Sequence, residues 1–175
     1  MNRCLFLDRD GTLMPDTGYP SSPQDVSLYP KVENALQTAQ SNGFLLAIIS
    51  NQSGVGRGYF DETAMWSVDA ELKRQFLVHG IEFNATQYCT DLPGTDGSER
   101  KPSPAMIQRV AAELDISISD SWMIGDKLSD VEAGIAAGCK TILFGATAED
   151  LPCPRQTKTC SDWIAVTQIL QDVVL

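Results

Sequence analysis

The feature that most constrains the fold of this chain is a regular alternation of short apolar runs with segments of helical periodicity. The runs have the length and composition of buried strands, and they are residues 4–7, 44–49, 83–89, 122–124 and 141–144. The helical segments are residues 30–43, 62–79, 104–114 and 131–137, with a short helix near 162–171. Strands that alternate with helices pair in parallel through right-handed crossovers. The sequence therefore predicts an α/β fold with a doubly wound parallel sheet.

Length, charge and cysteine content limit the functional classes. The 175 residues suit a single domain spanning 1–175, and no apolar run approaches the ~20 residues of a membrane span. A net charge of −10 disfavours nucleic acid as a partner, since binding a polyanion needs a basic surface. The five cysteines are odd in number and scattered, which predicts reduced thiols in a cytoplasmic protein rather than a disulfide framework.

The first apolar run ends on two carboxylates, Asp8 and Asp10, followed by Gly11. Ending a buried strand on two acids is costly unless a cation compensates the charge. A site for a hard cation such as Mg²⁺, combined with a carboxylate nucleophile, explains the pattern. An Asx-type turn at the strand end is the alternative that this stretch alone leaves open.

Polar residues also follow other predicted strands. Ser50 and Asn51 end the second strand, Asp126 ends the fourth, and the pair Arg100-Lys101 lies just before a helix. Ligands of such sheets bind outside the carboxyl ends of the strands. Three strand ends that converge there predict a site rather than unrelated turns.

These residue types suit phosphoryl transfer. The carboxylate of Asp8 can attack phosphorus and form an aspartyl-phosphate, while Asp10 can protonate the leaving oxygen and later deprotonate water. A Mg²⁺ ion that bridges Asp8, Asp126 and the phosphate would neutralise the repulsion between the anions. Lys101 can balance the charge of Asp8 and of the transition state.

Phosphate oxygens can be bound by Ser50, Asn51 and the backbone N–H groups of Gly11 and Thr12. The basic residues in these stretches, which predict a pocket for a small phosphorylated metabolite, are Arg9, Arg57, Arg100, Lys101 and Lys127. Simpler explanations remain open for some of these residues. Ser50 and Asn51 can merely close a turn, Lys101 can be a solvated loop residue, and Asp130 can be either a helix N-cap or a metal-shell residue.

Four motifs resemble those of the haloacid dehalogenase (HAD) superfamily. In chain order they are Asp8-x-Asp10-Gly11-Thr12, Ser50-Asn51, Lys101-Pro102 and Gly125-Asp126-x-x-x-Asp130. The longer stretches 6–12, 51–58, 100–104 and 125–130 resemble the D-glycero-D-manno-heptose 1,7-bisphosphate phosphatases of that superfamily, whose near relatives are the histidinol-phosphate phosphatases. The resemblance implies a Rossmann-like, HAD-like sheet, and residues 13–30 and 51–100 leave no room for the cap domain that many members carry.

The resemblance implies Asp8 as nucleophile and Asp10 as acid/base, with Mg²⁺ on Asp8, the Asp10 carbonyl and Asp126. It also implies that Arg57, Arg100 and Lys127 contact the distal part of the substrate. The expected protein is a cytoplasmic, monomeric, Mg²⁺-dependent phosphomonoester hydrolase that acts on a sugar bisphosphate. A histidinol-phosphate or nucleotide phosphatase is the alternative, and a phospho-aspartate receiver domain, whose reactive aspartate would close the third strand, is a remote one.

One departure from the family concerns its structural zinc loop, which has the form C-x-H followed by C-x-C. Here Cys89 keeps the first cysteine, but Asp91 stands in place of the histidine, and Gly97 and Glu99 in place of the cysteine pair. One thiolate and two carboxylates make a poor zinc site. Zinc is therefore not expected, and the sequence leaves open how the loop 90–100 holds Arg100.

Overall fold

The computed structural model describes residues 1–145, 154 and 157–172. Within these residues six parallel strands form one sheet in the order β3-β2-β1-β4-β5-β6. The strands are β1 Arg3–Leu7, β2 Phe44–Asn51, β3 Ala85–Cys89, β4 Trp122–Gly125, β5 Lys140–Phe144 and β6 Thr157–Cys160. The helices are α1 Val32–Ser41, α2 Ser53–Gly56, α3 Glu62–Leu77, α4 Ala105–Glu113, α5 Leu128–Ala137 and α6 Trp163–Asp172. The predicted α/β class with a parallel sheet is confirmed.

Helices cover both faces of the sheet, as expected when its strands are buried on both sides. Side chains of β1 alternate between the two faces. Leu5 and Leu7 belong to a core that includes residues of α1, α3 and α6, whereas Cys4 and Phe6 belong to a core shared with α4 and α5. This doubly wound arrangement places β1 in the interior of the sheet, hydrogen-bonded to β2 on one side and β4 on the other.

Several local predictions need correction. The sheet has a sixth strand, β6, which the predicted set of five omits, because its sequence Thr-Lys-Thr-Cys is polar and two of its side chains are exposed at the sheet edge. The predicted helical segments omit the one-turn helix α2, which lies within residues 52–58. Helix α5 begins at Leu128, so Asp130 is its third residue and not its N-cap. Asp61 is the N-cap of α3, and its carboxylate accepts from the N–H of Ala64.

The connections from β1 to β2 and from β2 to β3 contain few secondary-structure elements. Residues 8–31 contain only a single 3₁₀ turn at Pro23–Asp25, and residues 52–84 contain only α2 and α3. Within the described residues there is thus no inserted cap domain. Strand β3, which would end on the reactive aspartate of a receiver domain, ends on Cys89 at an edge of the sheet, so the receiver alternative does not fit this fold.

Two predictions concern membranes and cysteines. No helix of residues 1–145 or 157–172 has the length and apolar composition to cross a membrane. Cys4, Cys89, Cys139 and Cys160 are free thiols, and the remaining cysteine, Cys153, lies outside the described residues.

Candidate active site

Asp8 is the first residue after β1, at the centre of the carboxyl edge of the sheet. It is only 5% exposed, and its Oδ1 accepts a hydrogen bond of 2.8 Å from Nζ of Lys101. The same ammonium group donates to the carbonyl oxygen of Ile49 at 2.7 Å and lies 2.5 Å from Oδ1 of Asp130. One buried cation therefore bridges the carboxylates of Asp8 and Asp130, which explains why a lysine precedes α4 here and excludes the solvated-loop alternative.

The charges of this cluster fix its protonation. Burial raises the pKa of Asp8, but the charge and hydrogen bond of Lys101, with a further bond from Ser50, outweigh it and hold the pKa below its usual value. Burial lowers the pKa of Lys101, but the charges of Asp130 and Asp8 raise it above its usual value. Burial also raises the pKa of Asp130, and Lys101 offsets that effect only in part. At neutral pH Asp8 is thus a carboxylate facing an ammonium ion.

Asp126, which follows β4, completes a group of three carboxylates. Asp8, Asp126 and Asp130 each offer an oxygen that lies within 4.8 Å of the other two. Oδ1 of Asp126 is buried and has no hydrogen-bond partner in the described part of the chain. Burial, followed by the charge of Asp8, raises the pKa of Asp126 to about 7. An oxygen-rich site with one unpartnered buried oxygen and surplus negative charge fits a hard divalent cation such as Mg²⁺.

Gly11 allows Asp126 to take this position. Its φ of +84° lies in the left-handed region, which side chains other than glycine rarely adopt. A Cβ atom at residue 11 would lie 2.3 Å from Oδ2 of Asp126. Both the conformation and the space therefore require glycine.

The backbone amides of Gly11 and Thr12, which were predicted to bind phosphate, are hydrogen-bonded within the turn after β1. The N–H of Gly11 donates to the carbonyl of Met14 at 2.7 Å and that of Thr12 to the carbonyl of Arg9 at 3.4 Å. Both amides thus close this turn, and their role in phosphate binding stays a prediction. Neither the N–H of Arg9 nor that of Asp10 has an acceptor in the described residues, and these two amides are the ones left to bind an anion.

Asn51 and Ser50 do more than close a turn. The side-chain amide of Asn51 donates to the carbonyl of Lys101 at 3.1 Å and accepts from the N–H of Lys101 at 3.0 Å. This reciprocal pair fixes the backbone of Lys101, and a phosphate contact of Asn51 stays a prediction. The hydroxyl of Ser50 lies buried beside Asp8 and accepts from Nε2 of Gln52 at 3.2 Å.

Two side chains hold Asp10: that of Arg9, which the sequence predicts as a basic residue of the substrate pocket, and that of Gln52, for which the sequence predicts no role. Arg9, whose side chain is fully buried, donates from Nε to Oδ1 of Asp10 at 2.9 Å and from Nη2 to Oδ2 at 3.0 Å. Gln52 donates to the same Oδ2 at 2.9 Å and accepts from Arg9 at 2.8 Å. The position of Arg9 between two aspartates was the one sequence signal for this contact. The sequence does not show that its side chain points into the protein rather than toward solvent, because tertiary packing decides that.

These residues open into a cavity of about 360 Å³. Its lining includes Asp8, Asp10, Ser50, Asn51, Lys101 and Asp130 on the sheet side, and Asp16, Tyr19, Arg57, Arg100 and Lys127 farther out. Gly11, Thr12 and Asp126 do not line it. Lys127 pairs with Asp16 at 3.3 Å, whereas neither Arg57 nor Arg100 has a carboxylate within 4.0 Å in the described residues. The cavity therefore combines a buried carboxylate with two arginines available for an anion.

Comparison with known proteins gives consistent relatives. A family model described as HAD-hydrolase-like matches residues 98–158. The D-glycero-beta-D-manno-heptose-1,7-bisphosphate 7-phosphatase of Haemophilus ducreyi is 34% identical, over 89% of this chain and 90% of the relative. The enzyme of the same name from Helicobacter pylori strain 26695 is 33% identical, over 97% and 98% respectively. The crystal structure of D,D-heptose 1,7-bisphosphate phosphatase from B. bronchiseptica, complexed with magnesium and phosphate, matches with a TM-score of 0.88 and 29% identity, over 97% of this chain and 99% of that one.

Proposed function

The chain belongs to the heptose 1,7-bisphosphate phosphatase family of HAD hydrolases, and from that membership we propose that it removes one phosphate from D-glycero-D-manno-heptose 1,7-bisphosphate with the help of Mg²⁺. The protein is a phosphatase. The single observation that carries the choice of substrate is that Asp8 shares one cavity with Arg57 and Arg100, neither of which is neutralised by a described carboxylate. Asp8 can attack one phosphate group while the arginines at the cavity rim bind a second one, so the cavity suits a bisphosphate.

In the proposed reaction Oδ2 of Asp8 attacks the phosphorus of the bound ester. The bond between phosphorus and the sugar oxygen breaks, and Asp10 gives its proton to that oxygen. Water then attacks the aspartyl-phosphate, Asp10 takes up a proton from the water, and inorganic phosphate leaves. Lys101, fixed between Asp8 and Asp130, keeps Asp8 ionised and offsets charge as the phosphate approaches.

Mg²⁺ would be held by the carboxylates of Asp8 and Asp126 and the carbonyl of Asp10, with Asp130 close by. When bound, it supplies positive charge that screens the phosphate from the carboxylates. The carbonyl of Asp10 accepts no hydrogen bond from the described residues, which supports its assignment as a ligand. Asp8, Asp10 and Lys101 are the proposed catalytic residues.

Arg57, Arg100 and Lys127 are the proposed contacts for the distal phosphate. A guanidinium group binds a phosphate through two parallel hydrogen bonds, so two arginines at the cavity rim favour a doubly phosphorylated substrate. We further place this protein in the cytoplasm as a monomer of one domain. The free thiols of Cys4, Cys89, Cys139 and Cys160 support a reducing compartment, and no zinc is required by the proposed reaction.

The test is phosphate release with Mg²⁺ from heptose 1,7-bisphosphate and from histidinol phosphate in parallel. Asp8→Asn is the blank, because it keeps the shape of the side chain and removes the nucleophile. We expect preferential turnover of the bisphosphate that the blank lacks. Preferential turnover of histidinol phosphate would keep the assigned chemistry but overturn the sugar substrate. Equal release by wild type and the blank would overturn both.

A further inference from the structure

The loop 90–100 leads from the edge strand β3 to Arg100, and side-chain hydrogen bonds fix its end. Oγ of Ser98 donates to Oδ2 of Asp91 at 2.7 Å and accepts from the backbone N–H of Arg100 at 3.1 Å. The guanidinium of Arg100 donates from Nη1 to the backbone carbonyl of Asp91 at 3.3 Å. Both the backbone and the side chain of Arg100 are therefore tied to the pair Asp91–Ser98.

This pair is anchored to the sheet through Cys89, the last residue of β3. Its side chain is nearly buried, at 6% exposure, and its Sγ lies 3.5 Å from Oδ2 of Asp91 and 3.6 Å from Oγ of Ser98. We call Cys89, Asp91 and Ser98 the loop cluster. A long polar loop gains a fixed geometry from such a cluster because three side chains share their hydrogen bonds at its base.

The way the loop cluster holds Arg100 leaves its charge intact. The carboxylate of Asp91 accepts hydrogen bonds from the hydroxyl of Ser98 and the thiol of Cys89. It forms no ion pair with the guanidinium of Arg100 within 4.0 Å. The guanidinium is instead held by a neutral backbone carbonyl. A carboxylate partner would have weakened anion binding by neutralising the arginine, whereas a carbonyl orients it and keeps its positive charge.

A second contact, between α2 and the start of the loop 90–100, places Arg57 near this loop. A Cβ atom at Gly56 would lie 2.3 Å from the carbonyl oxygen of Thr90, so the helix α2 packs backbone to backbone against the start of the loop. Arg57 is the next residue along the chain. The loop is thus fixed at Thr90 by α2 and at Ser98 by the loop cluster, and each contact adjoins one of the two arginines that line the cavity.

We propose that Asp91 and Ser98 are positioning residues that aim Arg100 at the distal phosphate and thereby set the preference for a bisphosphate over a monophosphate. This inference rests on the proposed function. Side-chain hydrogen bonds of Asp91 and Ser98 fix the loop 90–100. Asp91 and Ser98 act through Arg100 and not on the reacting atoms.

The decisive variant is Ser98→Ala, which removes the donor to Asp91 and the acceptor for the N–H of Arg100. A lost hydrogen bond worth about 1.4 kcal/mol corresponds to a tenfold change. We therefore expect KM for heptose 1,7-bisphosphate to rise about tenfold, with a smaller change in kcat. The ratio of kcat/KM for the bisphosphate to that for p-nitrophenyl phosphate should fall by a similar factor, and Ser98→Thr, which keeps the hydroxyl, should restore it.

The matched control is Thr95→Ala. The hydroxyl of Thr95 also bonds within the loop, to the carbonyl of Leu92 at 2.9 Å, but it does not contact the loop cluster. Removing it should leave the ratio unchanged. Repeating Ser98→Ala in an Arg100→Ala background should produce no further loss, because a residue that acts through Arg100 has nothing left to position.

The outcomes separate the inference from the proposed function. A wild-type enzyme without preference for the bisphosphate overturns the substrate and with it this inference. A wild-type preference that Ser98→Ala retains overturns the inference alone. Equal losses on both substrates, or a full additional loss in the Arg100→Ala background, would also overturn it, since they indicate a general structural role. Circular dichroism of each variant identifies any that fail to fold, and Asp91→Ala then provides the second measurement.

Discussion

Lys101 shows how one buried side chain can determine both stability and reactivity. It is the shared partner of two buried carboxylates, Asp8 and Asp130. Taking the ammonium away leaves two like charges in a poorly solvated site, which is far more costly than leaving one ion pair unmade.

We therefore expect Lys101→Met to lower the free energy of unfolding by about 3–5 kcal/mol and to abolish phosphatase activity. Urea unfolding measures the first effect and phosphate release the second. The stability control is Lys127→Met, because Lys127 is exposed and its pair with Asp16 should contribute less than about 1 kcal/mol. Equal losses of stability in the two variants would contradict the bridging role of Lys101.

The second residue-scale prediction concerns Gly11→Ala. Left-handed backbone costs alanine about 1–2 kcal/mol, and the added Cβ would also collide with Asp126. Gly43 has a similar φ of +79° but nothing within 4 Å of its Cβ position. Both variants should lose comparable backbone stability, but only Gly11→Ala should lose Mg²⁺-dependent activity. A fully active Gly11→Ala enzyme would show that activity does not depend on the close approach of the Asp126 carboxylate to residue 11.

The raised pKa of Asp126 predicts how stability depends on pH when no divalent cation is present. Its pKa of about 7 in the folded protein exceeds the ordinary value of 3.8, so between these values the folded state binds more protons than the unfolded state. Stability should therefore fall as pH rises from about 4 to 7.

Thermal unfolding between pH 5 and 8, with EDTA or with Mg²⁺, measures this dependence. We expect Tm to fall with rising pH in EDTA and to recover on adding Mg²⁺ at pH 8. The variant Asp126→Asn should weaken both effects, because its side chain does not ionise. A Tm that is independent of Mg²⁺ in the wild type would argue against the carboxylate group as a cation site.

At this scale the sequence predicts the charged residues better than their neighbours. Asp8 and Asp126 are predictable because buried strand ends rarely carry charges without a reason. Lys101 is predictable because it lies in a connection, just before a helix, that can reach the same edge of the sheet. Gln52 was missed, and Arg9 was predicted only as a basic residue of the pocket, since only the packed structure shows that both side chains turn inward to Asp10. The hydrogen bonds that the amides of Gly11 and Thr12 make were not predicted, because a sequence does not show which N–H groups a turn uses.

At the scale of elements, α6 illustrates how a distant helix supports the site. Trp163 begins this helix and is 1% exposed, and its indole N–H donates to the carbonyl of Thr12 at 3.0 Å. The turn after β1 is thus tied to the C-terminal helix, which itself packs on α1.

We expect Trp163→Phe to destabilise the protein by about 1–3 kcal/mol, because a buried carbonyl loses its donor and the smaller ring leaves space. Trp66→Phe is the control, since Trp66 is 46% exposed and its loss should cost much less. Chemical denaturation of both variants gives the comparison. If the two lose equal stability, the bond to Thr12 contributes little.

The elements that the sequence failed to predict share a cause. Strand β6 is polar because it pairs on one side only and exposes part of its surface. Helix α2 consists of Ser-Gly-Val-Gly, whose two glycines disfavour helix on propensity alone. A Cβ atom at its Gly54 would lie 2.3 Å from the ring of Phe60, so a larger residue there would force that ring to move. Tertiary packing overrode local preference in both places.

At the scale of the molecule, one of the two cores joins the ends of the chain. It contains Leu5 of β1, Leu36 of α1 and Trp163 and Leu170 of α6. Because this core is built from residues near both ends of the chain, we do not expect one part of the protein to unfold while the rest stays folded.

We therefore expect a single cooperative unfolding transition. Far-UV circular dichroism and tryptophan fluorescence, which reports on the buried Trp122 and Trp163, should give the same midpoint in urea. Two separate midpoints would indicate independent units and would contradict the proposal that the chain is one domain.

The position of β1 has a consequence for how such an enzyme can diversify. Asp8, the proposed nucleophile, follows a strand that is paired on both sides, whereas the loop that leads to Arg100 begins at an edge strand. Insertions, deletions and substitutions in that loop leave the pairing of β1 untouched. Proteins that evolve from this chain can thus keep the same reaction, while single substitutions at the edge of the sheet change their substrate specificity.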